Sequence, residues 1–369
     1  MQQLTTTTIS GSESLIPTGV KFFESKRPFQ LETGLVLDTI TIAYHSYGEL
    51  NADKNNVVWV CHALTANSNV SEWWSGLFGQ GKVLNPDKDY IVCANILGSN
   101  YGTTGYQGIV PNDSFIPELT IRDMVNAHII LADELGISEI KLLIGGSLGG
   151  FQALEWSVMQ PSRINNLVLI ASNAVQSAWA KALNETQRMA LTTDPNWKLN
   201  SFTDNAPGLA AARAIALLSY RSYKSYTLKQ EDDDPSNFNY KASQYQQYQG
   251  LKLSKRFSSI SYYLITKAMD SHNLGRNRTG IIAALKSITS KTLIISIDSD
   301  LLFPVCEQEF LYKNISNSCL RIIRSNFGHD GFLIETTQLN LLINSWLYNN
   351  DICLPFIETK AEFNSFNYN

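Results

Sequence analysis

Ser147 stands among glycines in the run Gly145-Gly146-Ser147-Leu148-Gly149. A serine hydroxyl is a poor nucleophile until a base takes its proton. Its flanks point to that use. Residues 141–144 are apolar and strand-like, and residues 151–156 read as helix. A G-x-S-x-G pentapeptide between strand and helix is a nucleophile elbow, a sharp turn that lifts the hydroxyl above a sheet. Gly145 and Gly149 leave space where a Cβ would strike a neighbouring strand or helix. The pentapeptide alone also fits a plain glycine-rich turn. No Lys follows the glycines, which argues against a phosphate-binding loop.

The base should be a histidine, and the chain has five: His45, His62, His128, His272 and His329. His128 lies in a helical apolar run and His45 in a strand, both structural positions. His62 is expected to shape its loop. His329, in Asn326-Phe327-Gly328-His329-Asp330, follows the last strand-like run, where an elbow serine finds its base. An acid must orient that imidazole. Asp298 and Asp300 both follow the strand at 292–297, and either qualifies; the other is a turn former. The chain order Ser, Asp, His is the one elbow enzymes use. An acyl-transfer intermediate also needs N–H donors for its oxyanion. Leu148, after the nucleophile, supplies one, and Leu64, in the loop after an early strand, is the candidate for the second. Losing one such donor costs about 3 kcal/mol of transition-state stabilisation.

These residues need a frame. Residues 35–48 alternate and read as the strands of a hairpin. Residues 56–61, 90–95, 141–144, 167–170, 292–297 and 319–323 read as buried strands, and 121–135 and 339–347 as helices. Alternating strands and helices imply a mostly parallel sheet with helices on both faces. Between about 174 and 280 the strand signal disappears. Helical patterns such as 209–220 and 259–269 replace it. The expected organisation is an α/β core (1–173), a helical insertion or lid (174–285) and the rest of the core (286–369). Such an insertion sits over the strand ends.

Bulk properties exclude several classes. The chain has 369 residues, 44% of them hydrophobic, and a net charge of −4. No basic stripe suggests nucleic acid and no apolar run suggests a membrane span. The acidic run Glu231 to Asp234, before Pro235, reads as a solvated loop. The five cysteines, Cys61, Cys93, Cys306, Cys319 and Cys353, are scattered without C-x-x-C spacing. They read as free thiols in a reducing compartment, with no zinc or other metal site. The Thr/Ser-rich start lacks a signal-peptide pattern, so a cytoplasmic protein is expected. The polar tail after Phe356 is expected to be loose.

Over about residues 31–347 the chain resembles the homoserine O-acyltransferases of the α/β-hydrolase superfamily, specifically the homoserine O-acetyltransferase group. The likeness rests on Cys61-His-Ala-Leu-Thr65, Trp73-Trp-Ser-Gly-Leu77, Cys93-Ala-Asn-Ile-Leu-Gly98, Tyr101-Gly-Thr-Thr-Gly105, Thr120-Ile-Arg-Asp-Met-Val125, the elbow with Ala153-Leu-Glu-Trp156, Tyr248-Gln-Gly-Leu-Lys252 and Gly328-His-Asp-Gly-Phe-Leu333. It implies an α/β-hydrolase fold with Ser147 as nucleophile, Asp300 as acid and His329 as base. It further implies that Arg213 and Asp330 hold the amino-acid substrate; Arg221 is the nearby rival to Arg213. It implies no bound cofactor, acetyl-CoA as co-substrate, L-homoserine as acceptor, methionine biosynthesis as the setting, and a homodimer through the lid helices. The chain departs from the family pattern at Tyr106, Ser258, Asn273 and Asn277, all in or beside the lid and substrate tunnel. Other readings of the same triad are a succinyl-CoA-dependent or serine-accepting acyltransferase, or an esterase. A non-catalytic binding module is the remaining alternative.

Overall fold

The computed structural model describes residues 16–109, 116–195, 197, 206–234, 236 and 238–348. The Thr/Ser-rich start, Pro235, Cys353 and the tail after Phe356 lie outside these residues.

Ten strands form the sheets: β1 (Lys21–Ser25), β2 (Phe29–Gln30), β3 (Val36–Leu37), β4 (Ile40–Tyr47), β5 (Val57–Cys61), β6 (Tyr90–Ala94), β7 (Ile140–Gly146), β8 (Ile164–Ile170), β9 (Lys291–Ile297) and β10 (Ser318–Ile323). Eight of them make one sheet in the order β1-β4-β6-β5-β7-β8-β9-β10. From β6 to β10 every pair is parallel; β1 and β4 join antiparallel. The inner strands are buried on both faces, which is why they are nearly continuous apolar runs. In β5, Val57, Trp59 and Cys61 meet one helical layer while Val58 and Val60 meet the other, the two-residue period of a strand.

The expected 35–48 hairpin is corrected. β4 pairs with β1 and β6, and β3 pairs with β2. Alternation fixes which face of a strand is buried, not which strand lies beside it.

The helices before the gap between β8 and β9 are α1 (Val70–Trp73), α2 (Tyr106–Ile109), α3 (Ile121–Glu134) and α4 (Leu148–Met159). Helix α3 starts at Thr120, where the Thr120 hydroxyl and the Asp123 carboxylate form a reciprocal capping box. Between β8 and β9 come α5 (Ala178–Thr192), α6 (Pro207–Tyr220), α7 (Tyr223–Gln230), α8 (Lys241–Ser254), α9 (Ser259–Asp270) and α10 (Ile281–Lys286). Helix α6 packs against α5 and α8, and α5 against α9. A single antiparallel bridge, Val175 to Asn273, ties the outgoing and returning chains. Helix α10, which spans the expected boundary at 285, packs against the core helix α11 (Val305–Asn314). The chain closes with α12 (Gly331–Ile334) and α13 (Thr336–Tyr348).

The expectation of free thiols needs one correction. Cys61 and Cys93 are buried free thiols and Cys306 is free but exposed, whereas Cys319, on the edge strand β10, is disulfide-bonded. Among the described residues no helix is long and apolar enough to cross a membrane, and no cluster of His, Cys, Asp and Glu could hold a metal ion.

Candidate active site

Parallel strands deliver their following loops to one edge of the sheet. The loop after β5 carries Leu64, the turn after β7 Ser147, the loop after β9 Asp300, and the loop after β10 His329.

Ser147 sits at φ 56°, ψ −127°, a conformation that L-residues adopt only at a cost of about 1–3 kcal/mol. The surroundings hold it there. Ser147 N–H donates to Ile170 O on β8 (3.0 Å), and α4 begins at the next residue. A Cβ on Gly145 would lie 2.2 Å from Gly149 O, and one on Gly149 would lie 2.1 Å from Cys61 O. Both glycines are therefore required by close backbone approach, as the elbow reading expects.

His329 Nε2 lies 2.9 Å from Ser147 Oγ, and His329 Nδ1 lies 2.7 Å from Asp300 Oδ2. With the ring proton on Nδ1 and donated to Asp300, Nε2 accepts the serine hydroxyl. Asp300 Oδ1 accepts the N–H groups of Leu302 (2.8 Å) and Phe303 (2.9 Å), which locks the carboxylate. Asp298 does something else: its Oδ1 accepts Ser325 N–H at 3.0 Å and braces the loop after β10. The geometry thus separates two aspartates that spacing left open. The imidazole is enclosed by Phe303, Phe332 and Tyr220. Burial pulls its pKa down, but the charge and hydrogen bond of Asp300, with help from Asp330, outweigh burial and raise it above the ordinary 6.5.

The backbone N–H groups of Leu64 and Leu148 have no partner among the described residues. Leu64 lines the cavity with Ser147, and Leu148 follows the serine directly. His62 is fully buried and pushed down to about 4 by that burial. It shapes the loop, as expected: Nδ1 meets Ala63 O (2.9 Å) and Nε2 accepts Ile96 N–H (3.2 Å). His128 is buried against Trp59 and Trp156, and His45 bridges Ser68 and Thr18. His272 stacks on Phe151 of α4 at 4.2 Å.

The cavity over Ser147 has a volume of about 760 Å³. Arg213, Asp330, Tyr220, Lys252 and Arg256 line it. The Arg213 guanidinium lies 5.4 Å from the Tyr220 ring centre, within cation–π range. Arg221 is differently engaged. Its Nε is 2.9 Å from Asp330 Oδ2, an ion pair without hydrogen-bond alignment. Burial raises the Asp330 pKa, and the two arginines and His329 oppose that rise.

Sequence reasoning did not single out Tyr220, Lys252 or Arg256 as site residues. They sit on the insertion, and no local spacing ties them to the serine. It also missed an ion network behind α4. Arg122 Nε and Nη1 pair with Glu155 (2.7 Å) and Glu32 (2.6 Å), Arg276 pairs with Glu32 (2.7 Å), and Arg278 pairs with Glu155. Burial raises the Glu155 pKa, but Arg278 and Arg122 outweigh it and lower the pKa below the ordinary glutamate value. Of the departures from the family pattern, Asn277 sits at φ 56°, a left-handed conformation that Asn tolerates better than most residues. Ser258 caps α9, and Asn273 Oδ1 accepts Gly275 N–H. Tyr106 is buried at the start of α2.

Fold and site together define an α/β-hydrolase with a Ser–His–Asp relay, and a family model described as the alpha/beta hydrolase fold matches residues 56–336. Homoserine O-acetyltransferase of Nostoc punctiforme is 44% identical over 338 residues, covering 88% of this chain and 94% of that protein. The chain belongs to the homoserine O-acetyltransferase family of acyltransferases within the α/β-hydrolase superfamily. Among solved structures, homoserine O-acetyltransferase of Staphylococcus aureus is 28% identical at a TM-score of 0.74, covering 88% of this chain and 95% of that one. Esterase E22 reaches a TM-score of 0.80 at 22% identity, covering 89% and 99%, and shows the shared fold alone.

Proposed function

We propose that this enzyme transfers an acetyl group from acetyl-CoA to the hydroxyl of L-homoserine, giving O-acetyl-L-homoserine and CoA in methionine biosynthesis. The observation that carries the reading is the hydrogen-bonded chain Asp300–His329–Ser147 beneath a cavity that also contains Arg213, which forms no direct ion pair with a carboxylate among the described residues.

The reaction runs in two halves. Ser147 Oγ attacks the thioester carbonyl while His329 Nε2 takes its proton. The carbonyl oxygen becomes an oxyanion facing the Leu64 and Leu148 N–H groups. The intermediate collapses, the C–S bond breaks, and the CoA thiolate leaves with the proton from His329. The homoserine hydroxyl then gives its proton to Nε2 and attacks the acetyl-serine. Collapse of the second intermediate breaks the bond to Ser147 Oγ, which recovers its proton. Arg213 suits the homoserine carboxylate because its guanidinium can pair bidentately. Asp330, beside the base, suits the ammonium. Arg221 holds Asp330 and is not free to take the carboxylate.

The protein works in the cytoplasm without a bound cofactor, and acetyl-CoA serves as co-substrate. Exposed apolar side chains on α6, α7 and α8 (Leu218, Tyr223, Leu228, Tyr248, Leu251) support a homodimer through the insertion.

The test is thiol release from acetyl-CoA with and without homoserine, with succinyl-CoA and serine in parallel. Homoserine-dependent release with O-acetylhomoserine as product is expected, and Ser147→Ala should accumulate no acetyl adduct. Homoserine-independent release with free acetate would overturn the transferase reading in favour of an esterase.

A further inference from the structure

Arg256 lies between α8 and α9, on the insertion, yet its side chain reaches the core. Nη1 donates to Thr65 O and to Tyr101 Oη, both at 2.7 Å. Thr65 belongs to a tight turn closed by Ala66 N–H donating to Ala63 O (3.0 Å). Leu64 and Thr65 are the two central residues of that turn, and the Thr65 carbonyl shares its peptide plane with the Ala66 N–H that closes it, so holding that carbonyl holds the closure of the turn that presents Leu64. The other end of the loop is held from the core. His62 meets Ala63 O, and Gln152 of α4 donates to His62 O (3.1 Å). Arg256 is in turn anchored: Asn100 Nδ2 donates to its carbonyl (3.2 Å). The oxyanion loop is thus pinned on one side by the core and on the other by the insertion.

We propose that Arg256 is a positioning residue for the oxyanion: it holds the 63–66 turn so that the Leu64 N–H faces the reacting carbonyl. The inference rests on the acyl-serine reading of Ser147. An Arg is suited to the task because the two N–H groups of Nη1 donate to both acceptors at once and lie in a plane that the rigid, permanently charged guanidinium fixes. A lysine has a flexible point charge and satisfies the same pair less well.

The test compares wild type, Arg256→Gln, Arg256→Lys and Tyr101→Phe. Two quantities are read: the rate of acetyl-CoA-dependent acylation, and the affinity for methylboronic acid, whose tetrahedral serine adduct presents a hydroxyl where the oxyanion forms. Arg256→Gln should lose about tenfold or more in both, in proportion, because a displaced donor forfeits part of the stabilisation that a deleted one removes. The apparent affinities for homoserine and for CoA should stay within about twofold. Arg256→Lys should recover part of the loss. Tyr101→Phe removes only one acceptor and should give a smaller loss, which keeps the inference testable if Arg256→Gln does not fold. Failure of methylboronic acid to bind wild type would overturn the acyl-serine reading itself. Equal boronate affinity in wild type and Arg256→Gln would overturn only the role of Arg256. A loss confined to CoA affinity would do the same, and would reassign Arg256 as a ligand for the donor.

Discussion

The sheet and the helical insertion both line one cavity, by different physical means. Ser147, Asp300 and His329 stand on short loops at the ends of β7, β9 and β10, and each is locked by backbone or buried partners. Arg213, Tyr220, Lys252 and Arg256 reach in from the insertion, outside the sheet and its register. The side that must hold atoms within tenths of an ångström is built on parallel strands. The insertion supplies its charged and aromatic side chains from helices, which can vary without disturbing the sheet. The S. aureus acetyltransferase and esterase E22 share this fold at similar TM-scores. The fold alone therefore does not tell a transferase from a hydrolase.

The division predicts a graded set of defects. Asp300→Asn should lower kcat by about 10⁴-fold, by analogy with the loss when a triad acid no longer fixes the tautomer. Asp298→Asn should cost far less, because Asp298 braces a loop. A steady-state assay of both variants decides between them, and equal losses would break the distinction between the two aspartates.

Arg213→Ala comes next. It should raise the homoserine KM by roughly 10- to 100-fold, the value of a lost charge-assisted pair, and leave the acetyl-CoA KM little changed. Arg221→Ala should instead act through Asp330. If Arg221→Ala alone raised the homoserine KM, the carboxylate role would move there.

The pH profile sharpens the same contrast. His329 must be neutral to act as base, and Asp300 and Asp330 hold its pKa above 6.5 against burial. Activity should therefore fall as pH drops, with the acidic limb centred above the pKa of an ordinary imidazole. In Asp300→Asn the residual activity should have its limb at lower pH, because the proton on His329 has lost its stabilising charge. A limb that does not move would detach Asp300 from the titrating group.

The smallest effect belongs to the insertion. Asn277→Gly relieves a left-handed Cβ but frees the unfolded chain, so the two terms oppose each other. The stability change should stay below about 1 kcal/mol by thermal or chemical unfolding, with kcat unaltered.

Legibility followed the same divide. The inner strands were readable because burial on both faces leaves continuous apolar runs, and Ser147 because glycines must flank so tight a turn. His329 stood out because histidines are few and only one follows the last strand. Asp300 was not separable from Asp298 by spacing, since both follow β9 and only the direction of the side chain distinguishes them. The Arg256 contact with Thr65 spans 191 residues, and no local pattern encodes it. The pairing partner of β4 was missed for a similar reason, because a strand's sequence records its faces and not its neighbour.

Ser147 precedes the insertion, and its partner His329 follows it, 182 residues later. During synthesis the elbow therefore leaves the ribosome long before its base. At about 5–20 residues per second the serine waits roughly ten to forty seconds. For that interval the nascent chain carries a nucleophile that nothing deprotonates. The enzyme becomes reactive only after the helices that cover its serine have been made.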